Sequence, residues 1–400
     1  MRNFLFLITL ITFMFLCLIF LNTSQLKIYL YAAVIIFFAG IAAFLIFSPQ
    51  FGAKSDGDRL RRIELSDNYH KGRFRNPVKT DMMTGALESV KSMIDYFKGA
   101  ENREPREPIH TAPIDLSIFS PSDRSRAAIT WLAHSTVLIE IEGCMFLTDP
   151  IFGGRASPLS FMGPKAFAGS EVVSAQDIPR LDGILISHDH FDHLDYRTII
   201  ELKDRTETFF VPLGVGAHLE RWGVPPEKIV ERDWWEIAQY QGIELTAVPT
   251  RHFSGRGLMD RFKTQWCGWV IRSENNRIFF GGDSGYFDGF KKIGEKFGPF
   301  DLAMLECGAY SKYWPTIHMM PEETLRASMD LQSKILMPIH WAKFNLSLHS
   351  WTEPIERLNA DALRSGVDLL TPMVGERVFL DQDISTINWW PGSNNFFVRP

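Results

Sequence analysis

Cysteine is scarce in this sequence, and its spacing fits neither a disulfide framework nor a cysteine-based metal site. The four cysteines are scattered and form no Cys-x-x-Cys pair: Cys17, Cys144, Cys267 and Cys307. Because they lie in or near apolar runs, we expect buried free thiols. Such thiols fit a reducing compartment.

The sequence also lacks a long basic run, and its formal net charge is -5. Domains that bind nucleic acid usually carry a basic patch, so we predict no nucleic-acid partner. With 22% charged and 13% aromatic residues, the 400-residue chain is expected to fold for most of its length. That length suits one large domain or two ordinary ones.

Two long runs near the amino terminus lack charge, Phe4–Leu21 and Ile28–Phe47. Each is long enough to cross a bilayer as a helix, and only a short polar connection with Lys27 separates them. We therefore predict a transmembrane helical hairpin over residues 1–50. The alternative is a cleaved signal peptide followed by one helix, but no Ala-x-Ala-like cleavage site follows the first run.

The positive charge around these runs predicts the orientation. Lys27 alone lies between them, whereas four basic residues follow the second run: Lys54, Arg59, Arg61 and Arg62. Since basic residues concentrate on the cytoplasmic side, we expect a multi-pass protein of the inner (cytoplasmic) membrane with its main domain facing the cytoplasm.

Residues 51–125 are polar and rich in proline, arginine and glutamate. A helix is expected near Ala86–Phe97, because its apolar residues recur on one face: Leu87, Val90, Ile94 and Phe97. We interpret the segment as a connector that docks on the main domain. For residues 98–112, a solvated linker fits equally well.

Residues 126–400 alternate short apolar or β-branched runs with helical patterns, which predicts an α/β domain. The expected helices include Tyr196–Leu202, Phe290–Phe297, Pro321–Gln332 and Glu353–Arg364. Four of the expected strands are each followed by histidine or aspartate residues. These strands are Gly183–Ser187, Ile243–Pro249, Ile278–Gly281 and Ile335–Pro338.

The first of these strands runs into the motif Ser187-His-Asp-His-Phe-Asp-His-Leu-Asp195. Crowding three histidines and an aspartate into one loop costs desolvation and gains little without a metal. Borderline divalent metals bind such nitrogen and oxygen ligands. We therefore predict that His188, His190, Asp192 and His193 are metal ligands.

Three further candidates follow the other strands, namely His252, Asp283 and His340. A lone histidine after a strand is more often structural than a ligand. The loop ends of strands in a layered α/β fold nevertheless converge on one edge, and the first motif needs additional ligands. Seven ligands from four segments are therefore expected to meet at one site.

The motif resembles the His-x-His-x-Asp-His signature of the metallo-β-lactamase superfamily. More segments, spread over about residues 129–380, are similar to the N-acyl-phosphatidylethanolamine phospholipase D family. They include Phe146–Phe152, Arg155–Pro158, Met162–Lys165, Phe210–Gly214, Asp233–Trp235, Gly282–Tyr286, Phe297–Ala303 and Ile339–Trp341. The resemblance implies an αβ/βα four-layer sandwich over residues 126–400 and two zinc ions.

By the resemblance, one metal is held by His188, His190 and His252, and the other by Asp192, His193 and His340. Asp283 bridges them. Asp192 and His318 are the implied catalytic residues, with His318 facing the reacting group, although a capping or core histidine is the alternative. Tyr196 is implied to line the substrate pocket. Asp149 either supports the metal loop or caps a turn.

The implied activity is hydrolysis of a phosphodiester in a membrane phospholipid such as an N-acyl-phosphatidylethanolamine. A lactonase, thioesterase or nuclease of the same fold is the first alternative, and a non-enzymatic membrane scaffold is the second. The two membrane helices, the segment Ser311–Ile317 and the tail Asn388–Pro400 depart from the family pattern. The sequence leaves the head group, the acyl chain and a homodimer open.

Overall fold

A computed structural model of the chain describes residues 24–82, 85–99, 101–114, 126–257, 259–382 and 388–393. The chain divides into two compact units between Gly52 and Ala53. The first predicted membrane run, Phe4–Leu21, lies outside the described residues together with Cys17. The other three cysteines are free and buried, as predicted.

The first unit contains one long apolar helix, α1, over Ser24–Phe47. Its segment Lys27–Phe47 is long and apolar enough to cross a membrane. At about 1.5 Å per residue, such a segment spans roughly the 30 Å of a hydrocarbon core. One apolar helix is therefore present where the second half of the hairpin is predicted, and the hairpin itself stays a prediction.

Helices and strands are numbered in chain order within the described residues. The helices α1 to α8 are Ser24–Phe47, Gly57–Glu64, Ala86–Lys98, Tyr196–Leu202, Gly216–Arg221, Gly289–Phe297, Pro321–Asp330 and Glu353–Ser365. The strands β1 to β8 are Tyr69–His70, Arg73–Phe74, Ala128–Trp131, Val137–Ile141, Cys144–Thr148, Leu181–Leu185, Thr206–Pro212 and Ile229–Arg232. The strands β9 to β16 are Ile237–Tyr240, Ile243–Val248, Gly268–Arg272, Arg277–Phe280, Phe300–Glu306, Ser333–Ile339, Asp368–Leu369 and Arg377–Phe379.

Two seven-stranded mixed sheets form the centre of the second unit. One has the order β16-β3-β4-β5-β6-β7-β8, and the other has the order β15-β14-β13-β12-β11-β10-β9. Strands β5 to β8 pair in parallel, and so do β12 to β15. Because the carboxyl ends of parallel neighbours lie at the same edge of a sheet, the loops after β6, β12 and β14 can meet there.

The alternation of side chains along the strands explains the layering. On β5, Cys144 and Phe146 join the core between the sheets, whereas Met145 and Leu147 join a second core on the other face. That second core includes Ile199 of α4 and Leu219 of α5, so helices cover this face. On the other sheet, α6, α7 and α8 add residues such as Phe290, Leu325 and Leu358. The result is the predicted α/β sandwich, with each sheet covered on both faces.

In the part of the connector that the structure describes, helices α2 and α3 differ in how they meet the sandwich. In α2, Arg59 donates hydrogen bonds to Glu231 at 2.8 Å and to Glu220 at 2.6 Å. Glu231 also accepts from the amides of Gly214 and Gly216, so the ion pair lies within a shared network. Helix α3 behaves differently, because its apolar face is exposed.

The apolar face of α3 is exposed, a feature on which the sequence pattern makes no prediction. The pattern places Leu87, Val90, Ile94 and Phe97 on one face of the helix. These side chains are 43% to 63% exposed, with Phe97 the least and Leu87 the most exposed. The periodicity identified the helix, but periodicity fixes only which residues share a face and not what the face contacts.

Candidate metal centre

Each predicted ligand segment leaves the end of a strand and turns into one common site. His188 to His193 follow β6, His252 follows β10, Asp283 follows β12 and His340 follows β14 directly. His340 has a positive φ of 64° and Gly282, just before Asp283, has a φ of 55°. These left-handed conformations bend the chain sharply where the strands end, which aims the side chains inward.

His188, His190 and His252 form one group, here named the three-histidine half. The Nε2 atom of His188 lies 2.8 Å from Nδ1 of His190, which in turn lies 3.3 Å from Nε2 of His252. The carbonyl oxygen of Ile317 accepts a hydrogen bond from Nδ1 of His252 at 2.8 Å. Since Nδ1 then carries the proton, the lone pair of His252 Nε2 points into the group.

Asp192, His193 and His340 form the second group, here named the aspartate half. The Nε2 atoms of His193 and His340 are 3.1 Å apart, and both lie close to Oδ2 of Asp192, at 3.4 and 3.3 Å. Nδ1 of His193 donates to Asp149 at 2.7 Å, which again leaves its Nε2 as the inward atom.

Asp283 lies between the two halves. Its Oδ2 atom is 3.2 Å from Nε2 of both His193 and His340, 3.7 Å from His252 and 3.9 Å from His188. Its Oδ1 atom is buried and has no hydrogen-bond partner among the residues that the structure describes. A buried carboxylate oxygen without a partner is costly, so this atom is suited to a ligand that supplies positive charge.

The donor set fits divalent metal binding. Several neutral imidazole nitrogens lie within hydrogen-bond distance of one another, but they have too few protons for each nitrogen to form a hydrogen bond. A cation placed between them would bind all of their lone pairs at once. Histidine nitrogen and carboxylate oxygen are ligands that zinc and similar borderline metals accept. The described residues therefore include candidate metal-binding clusters of the kind that the sequence predicts.

The charges at the site differ between its two halves. Burial, followed by the neighbouring histidines, holds the pKa of His188 well below its usual value. Burial also lowers the pKa of His193, but the carboxylates of Asp283 and Asp192 outweigh it and raise that pKa well above its usual value. The carboxylates thus favour a positive charge at this position, which a proton or a metal cation can supply.

Asp149 supports the loop that carries His188 to His193, which decides between the two roles that the sequence left open. It follows β5 with a φ of 33°, and its carboxylate accepts from the amide of Ser187 at 2.7 Å and from its hydroxyl at 2.5 Å. The same carboxylate accepts from His193. The Ser187 oxygen lies 2.9 Å from Nδ1 of His188, so one buried network orients residues of both halves.

His318 lies beside the site without joining either half. Its Nδ1 atom is 2.9 Å from Oε2 of Glu306 and 4.0 Å from Oδ2 of Asp283. Its side chain is 12% exposed, and that of Asp192 is 16% exposed, whereas Asp283 is nearly inaccessible. The site is therefore open on the side where His318 and Asp192 lie.

Tyr196 is the first residue of α4 and is half-buried. Its ring packs against Trp222, with the centroids 5.4 Å apart. The side chain of its neighbour Asp195 caps the helix by accepting from the Thr198 amide at 3.0 Å. These contacts explain the local structure, and the predicted role of Tyr196 in a substrate pocket stays a prediction.

Sequence reasoning missed three side chains near the site. His134 lies 3.2 Å from Asp192 and its ring centroid is 4.1 Å from that of His340. Glu306 accepts from His318, and Asn76 forms two hydrogen bonds with the backbone of His252, at 2.7 and 3.0 Å. His134 follows β3 and Glu306 ends β13, so their positions at strand ends could have identified both from the sequence. Nothing in the local sequence pattern identifies Asn76.

Comparison with known proteins adds three findings. Residues 145–341 match the family described as the Beta-lactamase superfamily domain. An uncharacterized protein of Mycobacterium tuberculosis is 40% identical over 341 residues, which cover 84% of this chain and 91% of that protein. The N-acyl-phosphatidylethanolamine-hydrolyzing phospholipase D 1 of Caenorhabditis elegans is 36% identical over 243 residues, covering 57% of this chain and 68% of that protein.

A solved structure is similar in fold. It is Igni18, a metallo hydrolase from the archaeon Ignicoccus hospitalis, with a TM-score of 0.51 and 19% identity over 65% of this chain and 100% of that chain. At this identity the likeness concerns the fold alone. The fold agrees with the two covered sheets described above.

Proposed function

The chain belongs to the metallo-β-lactamase superfamily as a metal-dependent hydrolase, and from that premise we propose that it hydrolyses a phosphodiester bond of a membrane phospholipid. The proposed substrate class is N-acyl-phosphatidylethanolamine. The position of Asp283 between two groups of histidines carries the metal chemistry. The relative from Caenorhabditis elegans, whose name states that substrate, supports the choice of lipid.

Seven residues of the chain would hold two cations. The three-histidine half would hold one cation, the aspartate half would hold the other, and Asp283 would contact both. The chemistry that two divalent cations, with zinc the favoured metal, supply at such a site is Lewis acidity and the activation of water.

The residues on the open side would bind and orient the phosphodiester. Water would attack phosphorus, the bond from phosphorus to the head-group oxygen would break, and that oxygen would take a proton. His318 would donate from Nε2 to the phosphoryl or departing oxygen, and the hydrogen bond between its Nδ1 atom and Glu306 supports this assignment. A donor placed at developing charge stabilises the transition state more than the ground state. The products would be a phosphatidic acid and an N-acylethanolamine.

An isotope experiment tests this reaction. The purified full chain is incubated in water enriched in oxygen-18 with vesicles that contain an N-acyl-phosphatidylethanolamine, and the lipids are identified by mass spectrometry. We expect one oxygen-18 atom in the phosphatidic acid and none in the N-acylethanolamine. Removal of metal by a chelator should abolish the products, and added zinc should restore them. Release of fatty acid, or hydrolysis of a lactone or thioester instead, would contradict the proposal.

The domain boundaries and the location are part of the proposal. A membrane hairpin over residues 1–50, a connector over 51–125 and a hydrolase domain over 126–400 would place the site at the cytoplasmic face of the inner membrane. The apolar helix α1 and the basic residues after it support this topology. A carboxy-terminal reporter active only outside the cytoplasm would refute it.

A further inference from the structure

Helix α3 is amphipathic, and its apolar face points away from the protein. The exposed side chains are Leu87 at 63%, Met93 at 56%, Val90 at 48%, Ile94 at 44% and Phe97 at 43%. Their spacing of three and four residues places them together on one face of the helix. In an ordinary surface helix this face would be buried in the core.

The polar face of α3 is the one that contacts the protein. Ser92 is buried, and Glu88 and Asp95 are half-buried. Asp95 accepts a hydrogen bond from the hydroxyl of Tyr313 at 2.6 Å, which ties the helix to the loop that leads to His318. The orientation of α3 is thus fixed by polar contacts, so its apolar face is free to meet another apolar phase.

We propose that the apolar face of α3 inserts into the surface of a lipid bilayer. Lys91 and Lys98 border this face, and Lys98 ends the helix. A helix that combines an apolar face with lysines along its margin is suited to the interface between acyl chains and anionic head groups. Helix α1 supports the choice of occupant, because it is long and apolar enough to hold the chain at a membrane.

The segment that leads into α3 borders the candidate metal centre. Asn76 binds the backbone of His252, and the hydroxyl of Thr316 donates to the carbonyl of Asp81 at 2.6 Å. Arg251, next to His252, donates to the carbonyl of Lys79 at 2.8 Å. Insertion of α3 would therefore hold the open side of the site near the bilayer. This deepens the proposed function, and it rests on that function for the identity of the substrate only.

Depth measurement in a bilayer tests the inference without using catalysis. A spin label is attached at Ile94→Cys in the full chain, in a Cys17→Ser background because the other cysteines are buried. The matched control is Leu363→Cys on α8, since Leu363 is 45% exposed and Ile94 is 44% exposed. The protein is reconstituted in vesicles of phosphatidylethanolamine and phosphatidylglycerol. Collisions of the label with oxygen and with a water-soluble nickel chelate are then compared.

We expect the label at Ile94 to lie about 5–10 Å below the head-group boundary, where oxygen reaches it and the chelate does not. The control label should remain accessible to the chelate. A second label at Phe97→Cys should give the same depth. A label at Ile94 as accessible to the chelate as the control overturns the inference. Shielding from both reagents with dipolar broadening between labels also overturns it, because this indicates a second copy of the chain on the face.

An activity measurement separates this inference from the proposed function. The variant with Leu87→Gln and Ile94→Gln should lose about tenfold or more of the turnover of vesicle lipid, since two apolar side chains no longer enter the bilayer. The variant Leu363→Gln should retain that turnover. If the unsubstituted chain turns over no phosphodiester, the proposed function fails while the depth measurement still decides the inference. If the double variant equals the unsubstituted chain, the contribution of α3 to lipid access is refuted.

Discussion

The two halves of the site hold their histidines in different ways. In the three-histidine half, the partners of His188 and His252 are uncharged, namely the hydroxyl of Ser187 and the carbonyl of Ile317. In the aspartate half, the buried carboxylate of Asp149 holds His193. The carboxylate of Asp149 therefore contacts the second half directly, whereas it reaches His188 of the first half only through the Ser187 hydroxyl.

This difference affects the charge that each half can accept. Burial is the largest influence on the pKa of His252 and keeps it well below its usual value. Burial also lowers the pKa of His340, but Asp283 and Asp192 outweigh it and raise that pKa to about 10. Carboxylates beside a histidine favour a nearby cation and make the imidazole a more basic ligand. We therefore expect the aspartate half to bind its cation more tightly than the three-histidine half.

Replacing the residue shared by both halves should have the largest effect. Asp283→Asn removes the charge that both halves face while keeping the shape of the side chain. We expect the metal content to fall in both halves and turnover to drop by more than about a thousandfold, since the loss of both cations removes the activation of water. Metal analysis and kinetics on the same preparation check this. A single tightly held metal ion with unchanged content in the variant would show that Asp283 does not bridge.

Removing His318, which belongs to neither half, should separate catalysis from metal binding. His318→Ala should lower turnover by about a hundred- to a thousandfold, because a donor to the developing charge is lost. The effect should fall on kcat more than on KM. His318→Gln retains a donor and should recover part of the activity.

Metal content and thermal melting decide how the His318 result is interpreted. Both should match the unsubstituted protein, because the hydrogen bond of His318 goes to Glu306 and not to a predicted metal ligand. Near-normal turnover in His318→Ala would exclude a catalytic role. A loss of turnover that occurs only with lost metal or a lowered melting temperature would indicate a structural histidine instead.

The aspartate half can be weakened more than the three-histidine half through Asp149, which contacts His193 directly and His188 only through Ser187. Asp149→Asn keeps an oxygen that can accept from the Ser187 amide, but it removes the negative charge beside His193. Substituting such a supporting partner typically costs about 10- to 100-fold in metal affinity. We expect that loss in the aspartate half, and cadmium-113 NMR on the loaded protein can assign it because the two halves differ in their ligand atoms. An equal loss of metal affinity in both halves would show that Asp149 does not support the aspartate half in particular.

The sequence could predict the seven clustered residues because each lies just after a short apolar strand. The strand ends Val248 and Ile339 were predicted within one residue, which located His252 and His340. Tertiary contacts between distant segments could not be predicted in this way. Asn76 binds His252 from a polar segment that has no hydrophobic periodicity. The outward orientation of the apolar face of α3 depends on the hydrogen bond between Asp95 and Tyr313. Neither contact can be recognised from the local sequence pattern.

The three-histidine half should respond least, through its support by Asn76. This side chain accepts from the amide of His252 at 3.0 Å and donates to its carbonyl at 2.7 Å. Asn76→Ala removes two neutral hydrogen bonds, each worth about 1 kcal/mol, and water can replace part of them because Asn76 is half-buried. We expect metal affinity in this half to fall by about three- to tenfold, with the aspartate half unchanged. Asn345→Ala, which removes an exposed hydrogen bond to Glu104, is the matched control. Competition titrations with a chelator measure both halves, and a larger loss in the aspartate half would mean that Asn76 acts through the fold rather than through His252.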